Sequence, residues 1–289
     1  MKLGEAMRIA KTMDWIRPRY AAYLAGPRNV EAERNHMHRL LGIPERDRTQ
    51  SWAASGAGKC LRQRQFSYLG MDGKTPDEHG LNIFLNGTYV HLRHQVVGLS
   101  AGYLRDAEVP VTLPELNLVG TMDALDTKGI PVEYKSINQN GFGSVRAFGP
   151  KAEHRHQIHS YMLASGTDAF RVVYENKNTN DLLEFFVERD ENEVAAVRDD
   201  LEMLNEATDN RTLLPMLEEC TKKEGAYRWC PFASSCPKMS YPAVQARSVI
   251  LRMSSSANDS PRSLSPQVFQ TYQRFWESST STGTSSSDE

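Results

Sequence analysis

The chain has 289 residues, 39% of them hydrophobic, and a formal net charge of −2 from 34 Lys and Arg against 36 Asp and Glu. This is the make-up of an ordinary soluble protein with one substantial core plus extensions. No apolar run approaches the roughly 20 residues that a membrane-crossing helix needs.

The small net charge hides segregation. Residues 1–65 hold 13 Lys and Arg against 6 Asp and Glu, whereas residues 181–219 hold 3 against 13. A basic N-terminal region can track phosphates and an acidic stretch is expected to face away from nucleic acid, although two solvated faces of opposite sign fit the same numbers.

Residues 1–41 read as helices interrupted at Pro18 and Pro27, with Trp15, Tyr20 and Tyr23 helping to pack them, in a helical extension over residues 1–50. Residues 1–19 are charged and amphipathic, unlike a signal peptide, so a cytoplasmic location is expected. Residues 53–66 are expected to carry Cys60 into a helix. The preceding Ser55-Gly56-Ala57-Gly58-Lys59-Cys60 hints at a phosphate-binding loop. Ala53 stands where that motif needs its first glycine and Cys60 where it needs Ser or Thr, so no ATP site is expected. Residues 81–98 read as a helix bearing His91, an imidazole able to serve as a metal ligand.

The most informative segment follows. Residues 117–125 and 130–136 read as strands joined by Asp126-Thr127-Lys128-Gly129, which is good turn chemistry. Side chains alternate along a strand, so Glu133 and Lys135 point opposite to Val132 and Tyr134. Asp123 sits about as far before the turn as Glu133 sits after it, so the two carboxylates can meet. Two carboxylates suit a hard divalent cation such as Mg2+, and a lysine beside them can orient or deprotonate an attacking water.

Residues 151–164 form the next expected helix, with Gln157 and Tyr161 four apart on one face and able to grip a nucleic-acid backbone or base. His154 and His156 do not share a helical face, so His154, His156 and His159 are expected to be solvated or DNA-facing histidines and not a zinc site. Residues 169–175 and 181–188 read as strands around a polar turn, and residues 190–208 as an amphipathic helix capped by Asp190. From about Met253 the chain is Ser-rich and expected to be disordered, except around residues 268–276, whose apolar and aromatic groups are of the kind that dock on partner proteins.

The four cysteines, Cys60, Cys220, Cys230 and Cys236, are not expected to form disulfides in a cytosolic chain. Four thiolates suit tetrahedral zinc or an iron–sulfur cluster.

Taken in order, Cys60, His91, Asp123, Glu133-Tyr134-Lys135, Gln157 to Tyr161 and the C-terminal cysteines resemble the RecB-like branch of the PD-(D/E)xK nucleases. The likeness spans about residues 51–239 and is greatest to the iron–sulfur subgroup: CRISPR-associated exonucleases, AddB-type nuclease domains and their bacteriophage relatives. It implies a restriction-endonuclease-like α/β fold, a central mixed sheet flanked by helices with a Cys-ligated cluster, in a core over residues 51–245 followed by a tail over 246–289. It implies that His91, Asp123, Glu133 and the Tyr134 carbonyl hold Mg2+ or Mn2+, and that Lys135 activates the water. Gln157 and Tyr161 become the family's Q-x3-Y pair, and the four cysteines hold a [4Fe–4S] cluster. One departure stands out: the subgroup has C-x2-C-x5-C, whereas nine residues separate Cys220 from Cys230 here. That leaves Cys220, and zinc as the alternative metal, open.

The resemblance implies a metal-dependent DNA exonuclease, phage-encoded and used in recombination, replication or repair, acting on DNA with single-stranded ends. A recombination or replication protein on the tail and a homo-oligomer are compatible with it. A structure-selective endonuclease uses the same residues, and a non-catalytic DNA-binding iron–sulfur module is the reading from another class.

Overall fold

A seven-stranded mixed sheet frames the molecule. The computed structural model describes residues 10–44, 50–222, 230–238 and 240. In chain order the elements are β1 (Ala10–Thr12), α1 (Ile16–Ala25), α2 (Val30–Leu41), β2 (Trp52–Ala53), α3 (Leu61–Tyr68), α4 (Glu78–Ser100) and β3 (Leu104–Leu113). They continue with β4 (Leu118–Asp126), β5 (Pro131–Ile137), α5 (Gln139–Phe148), α6 (Ala152–Ser165), β6 (Ala169–Asn176), β7 (Leu182–Glu188), α7 (Glu191–Asp209) and α8 (Glu218–Thr221).

The strand order is β1-β7-β6-β5-β4-β2, with β3 also on β4. Strand β5 runs parallel to β6 and β2 parallel to β4, while the other pairs are antiparallel. Helices cover both faces. On one, Phe142 of α5, Ile158 and Met162 of α6 and Leu201 of α7 pack with Leu118, Val172 and Tyr174. On the other, Ile16, Leu40, Leu92 and Val96 pack with Val132, Tyr134 and Val173. Being covered twice, β6 is apolar on both sides, and its Phe170-Arg171-Val172-Val173-Tyr174 run is buried throughout. The mixed α/β sheet flanked by helices is the architecture expected.

The N-terminal stretch departs from the all-helical expectation, because residues 10–12 add strand β1 to β7. Pro18 does not interrupt α1. It lies in the first turn, where a missing N–H has no helical partner to lose. Pro27 does separate α1 from α2. Arg171 ties this arm down: it pairs with Asp126 and Glu184 at 2.9 and 3.1 Å, and its guanidinium lies 4.5 Å from the Trp15 ring. Glu184 also accepts from the Trp15 and Ile16 amides at 2.9 and 2.8 Å.

One further correction concerns a helix. Cys60 is not inside one but is the residue before α3, after β2 and a short 3-10 turn. Strand β3 and helix α5 had no sequence-based expectation. The segment expected to dock partners, residues 268–276, lies outside the described residues. No described helix is long and apolar enough to cross a membrane.

Candidate functional site

Strand β4 shares one edge between two partners. Strand β3 occupies its other edge from Leu118 to Asp126, so β2 at Leu118–Val119 and β5 at Ala124–Leu125 must both use the remaining one. Gly120 to Asp123 are left without a strand partner there, and the sheet opens into a fork. Helix α6 fills it: a Cβ on Gly120 would come within 2.6 Å of the Tyr161 ring, so only glycine allows this approach.

At the fork the paired strands turn over. Val111 and Met122 belong to the cluster under α6, whereas Ala107 and Ala124 belong to the cluster under α4. Glu108 and Asp123 are the residues at the crossing, and Glu108 has φ of +56° to make it. Gln95 of α4, itself 2% exposed, clasps this point, donating from Nε2 to Glu108 Oε1 at 2.6 Å and to the Asp123 carbonyl at 2.9 Å.

Asp123 Oδ2 accepts from the Tyr134 amide at 2.7 Å and lies 3.3 Å from His91 Nδ1. Glu133 and Lys135 project from β5 toward α6. Lys135 Nζ donates to Glu133 Oε1 and, at 2.9 Å, to Gln157 Oε1. Gln157 Nε2 donates to Glu133 Oε1 at 2.8 Å and to the Tyr161 hydroxyl at 3.3 Å. The structure thus brings His91, Asp123, Tyr134, Glu133, Lys135, Gln157 and Tyr161 to one fork. Gln157 and Tyr161 are buried, so here they hold the acid and the lysine of β5.

Charge and burial compete at each group. Burial raises Glu133, Asp123 raises it further, and Lys135 opposes both, leaving it at about 7. Burial pushes Asp123 up, but His91, Lys135 and the Tyr134 amide outweigh it and bring it below its usual range. His91 and Lys135 are pulled down by burial and raised overall by the two carboxylates. Glu133 Oε2 is buried without a hydrogen-bond partner, and such a group normally has one.

Helix α4 is fixed against the sheet one turn beyond His91. His94, fully buried, meets Glu175 of β6 at 2.7 Å and stacks on Tyr134 with centroids 4.8 Å apart. Arg93 pairs with the same carboxylate. Gln95 is a residue of the fork for which there was no sequence-based expectation. Its signal was the four-residue spacing from His91.

The α6 histidines depart from the solvated expectation. His154 bonds the Tyr174 hydroxyl at 2.8 Å and is pushed down to about 3 by burial, Lys135 and Lys151. His156 pairs with Glu193 at 2.8 Å. His159 is fully buried, with Nδ1 at 2.7 Å from the Arg155 carbonyl and Nε2 accepting from the Asp190 amide. Each imidazole has its own partner, so the three do not converge.

All four cysteines line one small pocket, together with Gln63, Phe66, Met216 and Ala233. Helix α3 gathers the distant segments. Arg62 donates to the Leu214 and Cys236 carbonyls at 3.0 and 3.2 Å, Gln65 bridges Thr212 and Leu214, and Phe66 meets Phe232 edge-on at 5.2 Å. Burial, then neighbouring thiols, push Cys230 up; burial also raises Cys236 against the pull of Arg62. Among the described residues, no group of three or more His, Cys, Asp or Glu is already placed to hold a metal ion. Asp123 rests on His91 and Glu133 on Lys135 instead.

No family model and no curated protein matches the chain. Solved structures similar to it include an alkaline exonuclease, LHK-Exo, from Laribacter hongkongensis, at 15% identity and a TM-score of 0.46, over 56% of this chain and 90% of that one. The same enzyme in complex with dAMP matches at 16% and 0.46 over the same shares. The crystal structure of SSO0001 matches at 16% and 0.44, over 74% of this chain and 98% of that one.

Proposed function

We propose that the chain is a divalent-metal-dependent deoxyribonuclease that hydrolyses phosphodiester bonds at the β4–β5 fork, acting as an exonuclease in DNA recombination, replication or repair. The observation that carries this reading is the contact set Lys135–Glu133–Gln157 beside the pair His91–Asp123. A half-buried lysine and two carboxylates that repel each other, Glu133 buried and Asp123 half-buried, are held within a single opening of the sheet.

The donor types suit a hard divalent cation: two carboxylates, a main-chain carbonyl and one imidazole, with Glu133 Oε2 buried and unpartnered. Here, however, Asp123 pairs with His91 and Glu133 with Lys135, and the groups do not converge on one point. Mg2+ or Mn2+ held there would acidify a water and steady the leaving oxygen. The residues themselves set the rest. Lys135 is raised by its carboxylate neighbours and keeps its proton, which suits orienting water and stabilising negative charge better than accepting a proton. Gln157 bonds Lys135 through Oε1 and Glu133 through Nε2, so one amide holds the two in register. Gln95 holds the main chain of Asp123.

For the cysteines the reading is a structural [4Fe–4S] cluster, with zinc as the alternative. Four sulfur donors lining one pocket support it, Cys220 included. Such a group would join the start of α3 to residues well over a hundred positions later, constraining the unfolded chain as a long-range cross-link does.

Incubation with end-labelled and circular single-stranded DNA in Mg2+ or Mn2+ tests the exonuclease assignment. Release of mononucleotides or short products from the linear strand, with the circle intact, is expected. Cutting of the circle would move the assignment to an endonuclease, and no cleavage of either would overturn the nuclease reading.

A further inference from the structure

The glycine-containing loop that fails as an ATP motif lies beside the catalytic fork. Gly58 has φ of +76°, and a Cβ there would stand 3.1 Å from Glu153 Cα and 3.3 Å from His156 Cβ, so the loop lies flat on the first turn of α6. That helix has 14 residues and starts at Lys151 with no side-chain cap. Lys59, the next residue, is exposed and its amine makes no hydrogen bond or ion pair with any described residue, yet lies near enough to Lys135 for the two charges to repel. Beneath the loop, Arg64 runs past Gly56, its Nε 3.5 Å from where a Cβ would be. Arg64 is only 6% exposed, and its guanidinium likewise has no hydrogen bond or ion pair with any described residue. The acids whose charges reach these groups are Glu153 for Lys59 and Asp200 for Arg64, and neither forms an ion pair with them.

No Arg64 nitrogen is among the atoms both buried and unpartnered, so its donors open to solvent from an otherwise buried side chain and can take an anion. We propose that Lys59 and Arg64, with the first turn of α6, bind a phosphate group of the substrate strand next to the bond being cut. This rests on the nuclease reading and adds a binding subsite to it. Arginine forks and lysine point charges are the side chains that take phosphate, and a helix N-terminus adds its dipole.

The test uses full-length protein carrying Asp123→Asn, to stop turnover, and fluorescently labelled single strands bearing a 5′-phosphate or a 5′-hydroxyl. Adding Lys59→Ala should weaken binding about 5- to 10-fold and make the slope of log affinity against log salt shallower by about 0.7, the value for one phosphate contact on a single strand. Arg64→Leu should act in the same direction, and Lys59→Arg should restore most of the affinity. Loss confined to the 5′-phosphorylated strand places a terminal phosphate in the subsite; loss on both strands places an internal one. If the parent binds strands but Lys59→Ala keeps its affinity and salt slope, the subsite is wrong and the nuclease reading stands. A parent that binds neither strand overturns both.

Discussion

Glu108 and Asp123 face each other at the point where the β3–β4 ribbon turns over, and one side chain, Gln95, bonds both. Residues two apart on each strand, Ala107 and Val109 or Met122 and Ala124, therefore pack on opposite faces of the sheet. Without that crossing Asp123 could not lie against His91 on the α4 side while staying next to Glu133, which faces α6.

Gln95→Ala should accordingly impair catalysis without touching substrate. It removes two hydrogen bonds, a loss of about 1–3 kcal/mol in stability. The expected signature is a fall of about tenfold or more in kcat with little change in KM, in protein that still melts cooperatively. A variant equally stable and fully active would show that the clasp has no role.

Asp123→Asn and Lys135→Ala should each lower cleavage by at least about a thousandfold, since each removes a charge aimed at the reacting phosphate. Circular dichroism and strand binding should remain near wild type. Activity within a few-fold of wild type in both would place the chemistry elsewhere.

His91→Ala tests a ligand role against a packing role. His91 is 28% exposed at its side chain, so its loss should leave most of the stability intact. Mn2+ affinity measured by calorimetry should fall about 10- to 100-fold. Unchanged affinity alongside a large drop in melting temperature would make His91 a core residue.

Glu133 gives a pH prediction in metal-free protein. Its folded value of about 7 lies above the usual 4.5, so the folded state holds a proton that the unfolded chain has released. The stability linked to that proton is fully present below about 4.5 and is lost as pH rises through about 7. Glu133→Gln does not titrate, so between pH 5 and pH 8 its stability should gain on the wild type by up to about 3 kcal/mol, while cleavage is abolished. Parallel stability–pH curves in chelator would contradict the strained carboxylate.

Cys230→Ala tests the cluster. Wild type purified without oxygen should be brown with about four irons per chain; the variant should be colourless and markedly less stable. A colourless wild type with one bound zinc would replace the cluster but keep the structural role, and stable, active protein with neither metal would end both.

The hairpin was legible because alternation along β5 and the Asp126–Gly129 turn are local rules, and α6 because its end at Gly166 and the Gln157–Tyr161 spacing are local too. The termini of β4, β5, α6 and α7 fall within a residue or two of the sequence reading. Strand β3 was not legible, since Pro110 and a left-handed Glu108 interrupt its pattern. Nor was β1, three residues long and defined only by pairing with β7. Gln95 and Arg64 escaped for a related reason. Their meaning lies in contacts with residues far along the chain or in the lack of any, and neither shows in a run of neighbouring residues.

The most direct measurement is single-turnover cleavage of a labelled DNA strand titrated with Mn2+, run in parallel on wild type, Asp123→Asn and Lys135→Ala. Saturable, metal-dependent cleavage by the wild type, none in chelator, and only trace cleavage by either variant at any metal concentration are expected. Cleavage that persists in chelator, or that both variants carry out at the wild-type rate, would contradict metal-dependent hydrolysis at the fork.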